Sequence, residues 1–260
     1  RYLDRVLSFE LGPLDARDGV VSTEVVATAL DGAVTSTPAT FTVDPAGAGV
    51  VVDSPQLAAL LAAAGVGRVH VRDNGVVRLQ QALPGGVAPS DEGTALPYAA
   101  ARAIERAAPD ADTTPLPNGE RPDLVVLAYD TPVQPEHRDA LHASDCAHLV
   151  VRLGPDHGVV GPLVIPGLTS CLRCADLHRL DRDPAWTALA VQLADGRPGA
   201  GSGVGVAAIV GGIAAVQALA FLDGDEPAVV DGTLELRLPD WRIRRRSWPA
   251  HPDCDCARPA

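Results

Sequence analysis

The sequence predicts an α/β fold: a mostly parallel sheet with flanking helices, a C-terminal hairpin and a four-cysteine staple. Three observations predict it. Short continuous apolar runs such as Val50-Val51-Val52 and Leu124 to Ala128 recur along the chain, as strands buried on both faces require. Helical stretches with proline at or near their start fill the intervals between these runs. Four of the five cysteines stand in two couplets, Cys171-Leu172-Arg173-Cys174 and Cys254-Asp255-Cys256. That grouping draws the end of the chain back to its middle.

Residues 1–45 form an N-terminal appendage in which Val20 to Leu30 and Thr40 to Val43 read as strands or a poor helix. From residue 46 the α/β pattern runs to residue 260. Val50 to Val52 is the first strand. Asp53-Ser54-Pro55 offers an N-cap with proline just inside the helix start, and Gln56 to Ala64 is the helix, closed by Gly65 and Gly67. Arg68 to Val71 is the second strand, completing one βαβ unit of a doubly wound sheet. Tyr98 to Ala108 is helical, Leu124 to Ala128 is a third strand, Glu136 to Ser144 is helical, and His148 to Leu153 is a fourth strand. Val159 to Ile165 is a fifth and leads into the first couplet. Asp176 to Leu193 is polar and partly helical, and Gly203 to Leu222 is a long buried helix. Val229 to Leu238 and Trp241 to Trp248 form a hairpin turning at Pro239-Asp240, with Arg242, Arg244 and Arg246 on one face of its second strand.

Composition excludes several function classes. A net charge of −12 opposes nucleic-acid and bilayer-surface binding. All 21 basic residues are arginine, so a P-loop lysine, a Schiff-base lysine and a lysine general base are all ruled out. The chain starts at Arg1 without an initiator Met, as a fragment would, and without a signal-peptide pattern. A cytoplasmic, reducing setting with free thiols follows as the expectation.

Two short couplets can supply four soft ligands on a tetrahedron at low entropic cost. Proline beside each couplet pre-bends the chain. A redox-active C-x-x-C would leave the second couplet unexplained, and two disulfides would need an oxidising compartment. Cys171, Cys174, Cys254 and Cys256 are therefore the expected ligands of a structural Zn2+ with no open position. Cys146 reads as a buried small hydrophobe. His178 and His251 flank the couplets as hydrogen-bonding neighbours or surface residues.

Several passages resemble the ThiF-type, ubiquitin-activating-like adenylyltransferase family between Gly47 and Cys256. Leu60 to Val77 is similar to its helix, strand and ribose-binding turn, Pro122 to Pro132 to its acidic strand end, and Gly158 to Cys174 to its approach to the first couplet. Gly205 to Leu222 is similar to the helix that follows. C-L-R-C-A-D-L-H-R-L-D-R-D-P-A-W and the terminal H-P-D-C-D-C resemble one branch, the cyclodehydratase partner proteins of thiazole/oxazole-modified peptide (bacteriocin) biosynthesis. The resemblance implies a ThiF-like Rossmann-type fold, a homodimer, and nucleotide-site positions at Asp73 and Asp130.

The departures from that family imply a pseudo-enzyme. Where the family has a glycine-rich phosphate loop, this chain has Val52-Asp53-Ser54-Pro55-Gln56, with a carboxylate opposing a polyanion. The companion acid of Asp73 is replaced by Gly75, and the acid preceding Asp130 by Leu127. Arg78 is out of register with the family's phosphate-clamping arginine, and the family's lysine is missing. Asp73 also reads as simple turn chemistry before Asn74-Gly75. The expectation is a non-catalytic scaffold that does not use ATP and that binds a ribosomal precursor peptide, a YcaO-type cyclodehydratase, or both. The family's winged-helix-like leader-binding module is expected to be absent or truncated to residues 1–45. Two alternatives stay open: an active ATP-dependent adenylyltransferase that activates a carboxylate, and a zinc-stapled assembly protein with no peptide client.

Overall fold

A computed structural model describes residues 6–11, 15–17, 20–29, 34–42, 49–52, 54–82, 85–117, 120–129, 132–194 and 203–256. The chain divides into two compact units, Arg1–Gly47 and Ala48–Ala260. In the first, the Val/Thr-rich segments take the strand option. β1 (Val6–Leu11) and β2 (Asp15–Arg17) pair with β3 (Val20–Ala29), and β4 (Val34–Thr42) pairs along the whole of β3, every contact antiparallel.

The second unit holds a seven-stranded sheet in the order β11-β10-β9-β8-β7-β5-β6. β5 (Gly49–Val52), β6 (Arg68–Val71), β7 (Leu124–Tyr129) and β8 (His148–Leu153) are mutually parallel. β9 (His157–Val164), β10 (Gly232–Arg237) and β11 (Arg242–Ser247) are antiparallel. The sheet is thus evenly mixed rather than mostly parallel. The reason lies in the connection from Leu153 to His157. A parallel crossover needs a dozen or more residues, so the short turn there makes β8 and β9 a hairpin.

Helices cover both faces. α1 (Pro55–Ala63) is N-capped by Ser54, whose hydroxyl accepts from the Leu57 amide at 3.4 Å. With α2 (Leu96–Ala107) and α6 (Val204–Leu222) it packs on the face carrying Val50, Val52, Leu124, Val126, Leu149 and Val151. α3 (Pro135–Ala143) and α4 (Leu172–Arg182) pack on the opposite face over Val51, Val125, Leu127 and Val150. The period-two alternation of strand side chains sorts each valine run into these two cores. α5 (Trp186–Ala194) follows α4. The partly helical stretch expected over Asp176 to Leu193 is two helices, and the first begins at the couplet itself, with Cys171 in its N-cap position.

α6 is long and apolar enough by composition to cross a membrane. One of its faces, with Val206, Val210, Ala214 and Ala218, is buried against α1, β8 and β9. Its other face is open, with Val216 61% exposed, so the helix is half-buried rather than fully buried.

Gly161 bears on how β9 is built. Its φ is +101°, and a Cβ there would lie 2.6 Å from the Gly232 carbonyl and 2.9 Å from Val229 Cβ. Both the backbone conformation and the space demand glycine. Gly161→Ala is expected to cost about 3 kcal/mol, seen as a fall of roughly 6–12 °C in Tm.

Asp112 ties the edge of the sheet. Its carboxylate accepts from the Thr114 hydroxyl at 2.7 Å and amide at 2.8 Å, and from Arg68 Nε at 2.7 Å. The Thr114 hydrogen bonds, aided by Arg68 and opposed by slight burial, hold its pKa at about 2 rather than 3.8. A depressed carboxyl pKa contributes stability above the unfolded value and loses it as pH falls through the folded one. Asp112→Asn is therefore expected to lower Tm by ~1–2 °C at pH 7, with the difference shrinking as pH falls from about 4 through about 2, the small size reflecting solvent screening.

Candidate functional site: a four-thiol cluster and a closed helix start

The C-x-x-C spacing does its work through α4. Cys171 caps the helix and Cys174 lies within its first turn, so both thiols sit at one helix end. The second couplet is brought up by the tail, where the Cys254 amide donates to the His251 carbonyl at 2.9 Å. Sγ separations are 3.8 Å for Cys171–Cys174, 3.6 Å for Cys171–Cys254 and 3.3 Å for Cys174–Cys256. All four sulfurs lie within 4.8 Å of one another. Four sulfurs each about 2.3 Å from one zinc ion would stand about 3.8 Å apart, so the donor set and its spacing fit a tetrahedral metal.

The thiols are buried apart from the half-buried Cys256. Burial pushes the Cys171 thiol up to about 11 and also raises Cys256. Cys174 is also raised by burial, yet backbone hydrogen bonds from His251 and Cys171 outweigh that and leave it below the usual thiol value. A metal bound here takes the place of these protons.

Neighbouring groups fasten the tail. His251 donates through Nε2 to Asp181 at 2.9 Å and accepts at Nδ1 from the Asp253 amide at 3.1 Å. Both its ring nitrogens are thereby engaged, which makes the His178/Asp181/His251 group a brace rather than a ligand set. His178 donates through Nε2 to the Pro249 carbonyl at 2.9 Å and meets the His251 ring edge-on at 4.7 Å. Cys146 stands apart from the couplets, 3% exposed, with burial raising its thiol pKa.

The nucleotide-type site of a doubly wound sheet lies at the carboxyl ends of β5 and β7, where the strand order reverses. Its phosphate end is normally the N-terminus of the following helix, through free backbone N–H groups. In α1 two of these donors are already gone: Pro55 has no N–H, and the Leu57 amide donates to Ser54 Oγ at 3.4 Å. Gly86 lies directly over Gln56, since a Cβ at 86 would be 3.2 Å from the Gln56 nitrogen. Arg106 Nη2 holds that loop by donating to the Gly86 carbonyl at 2.9 Å.

The structure places Asp73 in an Asx turn whose carboxylate accepts from the Gly75 amide at 2.5 Å. The exposed Arg78 opens a short 3-10 turn and donates its amide to Gln81 Oε1 at 2.8 Å. Asp53 and Asp130 lie outside the described residues. Among the alternating arginines of β11, Arg244 pairs with Asp240 at 2.7 Å and Arg246 with Glu235 at 3.0 Å. Sequence reasoning missed the covering of α1 by Gly86, which depends on tertiary packing. It also missed a cavity beyond β8. The available signal for that cavity was Arg152, a charge inside an otherwise apolar strand.

No protein-family model and no characterised protein sequence matches the chain. Among solved structures it is similar to E. coli MccB, with a TM-score of 0.64 at 16% identity over 81% of this chain and 65% of that one. MccB crystallised with ATP gives a TM-score of 0.64 at 16% identity, covering 81% and 66% of the two chains. PaaA gives 0.56 at 18% identity, covering 77% and 72%. The chain thus spans about two thirds of the MccB length. What these likenesses establish is the fold: a mixed α/β sheet with flanking helices, shared with MccB.

Proposed function

We propose that this protein is a ThiF-like, non-catalytic scaffold in peptide-modification biosynthesis, binding a ribosomal precursor peptide, a YcaO-type cyclodehydratase, or both. The partner enzyme would form the azolines. The observation that carries the reading is the start of α1, where Pro55, the Ser54 cap and the overlying Gly86 occupy the place of a phosphate cradle. The lack of any lysine supports it too, because phosphoryl and adenylyl transfer rest on positioned cations. We assign a structural zinc to Cys171, Cys174, Cys254 and Cys256, which makes the four-thiol cluster a staple for the tail. A homodimer in the cytoplasm completes the proposal, and the open apolar face of α6 supports a partner there.

A second reading, an ATP-dependent adenylyltransferase, is favoured by one specific observation: MccB, described as the microcin C7 biosynthetic enzyme, has been crystallised with ATP and with N-formylated MccA. ATP–pyrophosphate exchange separates the two. The scaffold reading expects exchange at background with or without precursor peptide, together with co-purification of a co-expressed YcaO-type partner. Exchange above background would put the adenylyltransferase first. Background exchange without any retained partner or peptide would leave the zinc-stapled assembly protein.

A further inference from the structure

A cavity of about 530 Å³ opens at the carboxyl end of β8, between the β8–β9 hairpin, α4, α5 and the last hairpin. Its lining is unlike the rest of this acidic chain. Arg152, Arg179, Arg182, Arg237 and Arg246 all face it, in a protein whose net charge is −12. The acids near it are already engaged. Asp176 accepts from Arg179 at 2.9 Å and from the Trp186 indole at 3.3 Å, and also faces Arg138 at 3.6 Å. Glu235 pairs with Arg246 at 3.0 Å, and Asp183 accepts from the Ala185 amide at 2.9 Å.

Arg152 is the group left over. It follows the buried Val150 and Val151 on β8. Among the described residues no carboxylate lies within ion-pair distance of it. Burial, with help from the neighbouring Arg179 charge, lowers its pKa to about 10, and Asp176 and Glu235 only partly compensate through space. A half-buried cation with no counter-ion in ion-pair reach is costly, and a guanidinium presents a planar fork that matches carboxylate and phosphate oxygens. Arg182 and Arg237 stand exposed around it. Arg179, Arg182 and Arg246 also surround the Trp248 ring, at 4.8, 5.1 and 5.6 Å from its centroid. That stacking keeps several guanidinium groups at the wall.

We propose that this arginine-lined cavity is a binding site for a ligand carrying an oxyanion head group, with Arg152 as its central contact. Carboxylate and phosphate share the required chemistry, and the cavity has room for a body behind the head group. The site lies beyond β8 and does not use the start of α1, so it stands or falls separately from the scaffold reading.

Intrinsic fluorescence gives the test, because Trp186 and Trp248 line the cavity and Trp241 is 64% exposed in the hairpin turn. In a Trp241→Phe background, inorganic phosphate and a short peptide with a free α-carboxylate are titrated against sodium chloride at equal ionic strength. The amidated peptide serves as the neutral control. The proposal expects a saturable change with at least one oxyanion and none with chloride or the amide. A phosphate-only response assigns a phosphate ligand, and an acid-peptide-only response assigns a peptide carboxylate. Arg152→Gln should weaken binding at least tenfold. Should that variant unfold, Arg182→Gln at the rim is expected to weaken binding several-fold. Lack of saturation with both oxyanions, or undiminished binding in the folded variants, would overturn it.

Discussion

Cys174→Ser is expected to release the bound metal and lower the melting temperature of the full chain by roughly 6–20 °C. Cys174 is fully buried, stands 3.3 Å from the Cys256 sulfur and 3.8 Å from the Cys171 sulfur, and lies in the first turn of α4. A structural zinc contributes directly to folding, with apparent binding free energies of order 10 kcal/mol in small domains. Here the sheet has large apolar cores of its own, so the expected loss is a smaller ~3–5 kcal/mol, and each kcal/mol moves Tm by roughly 2–4 °C at this size. Elemental analysis of the wild type should give about one zinc per chain, and much less in the variant. Cys146→Ser is the matched control. Its sulfur is also buried but stands outside the cluster, so zinc content should be unchanged even where stability falls. Full stability and full zinc content in Cys174→Ser would end the staple account.

Trp248→Ala carries the second large effect. Trp248 is 3% exposed, its indole donates to Thr233 Oγ1 at 3.0 Å, and its amide donates to the Asp231 carbonyl at 2.8 Å. It therefore holds the start of the tail that carries the second couplet against β10. Truncating a buried tryptophan costs about 3–5 kcal/mol, and three guanidinium groups lose their aromatic face. A fall in Tm of ~10 °C is expected. Trp248→Phe retains most of the apolar burial while losing the Thr233 hydrogen bond. It should recover more than half of the loss. Equal losses in the two variants would place the effect in the hydrogen bond and not in packing.

The parts of this fold that were legible in the sequence are those written by local rules. Pro55 after Ser54 marks the start of α1, the valine runs mark β5 and β7, and Pro239-Asp240 marks the last hairpin, because turn and cap chemistry acts over a few residues. Each cysteine couplet was legible for the same reason, since its spacing fixes its own geometry; that the two couplets meet followed only from the four ligands a tetrahedral metal requires. Strand direction was not. Val159 to Ile165 has the apolar character of a parallel strand, and only the short turn from Leu153 to His157 makes it antiparallel. The start of α4 was also missed, because Cys171 was read for its metal chemistry and not as an N-cap. The partial exposure of α6 escaped because its composition is apolar all round, so no periodicity distinguishes the covered face from the open one.

Isothermal titration of ATP with magnesium into the zinc-loaded protein tests the central claim most directly. The Arg152→Gln variant is run alongside, so that any phosphate bound in the arginine-lined cavity is recognised by its loss. With the α1 start capped by Ser54 and covered by Gly86, the account predicts no micromolar binding that survives in Arg152→Gln. Micromolar, magnesium-dependent binding that persists in Arg152→Gln would contradict it and give the nucleotide site back its function.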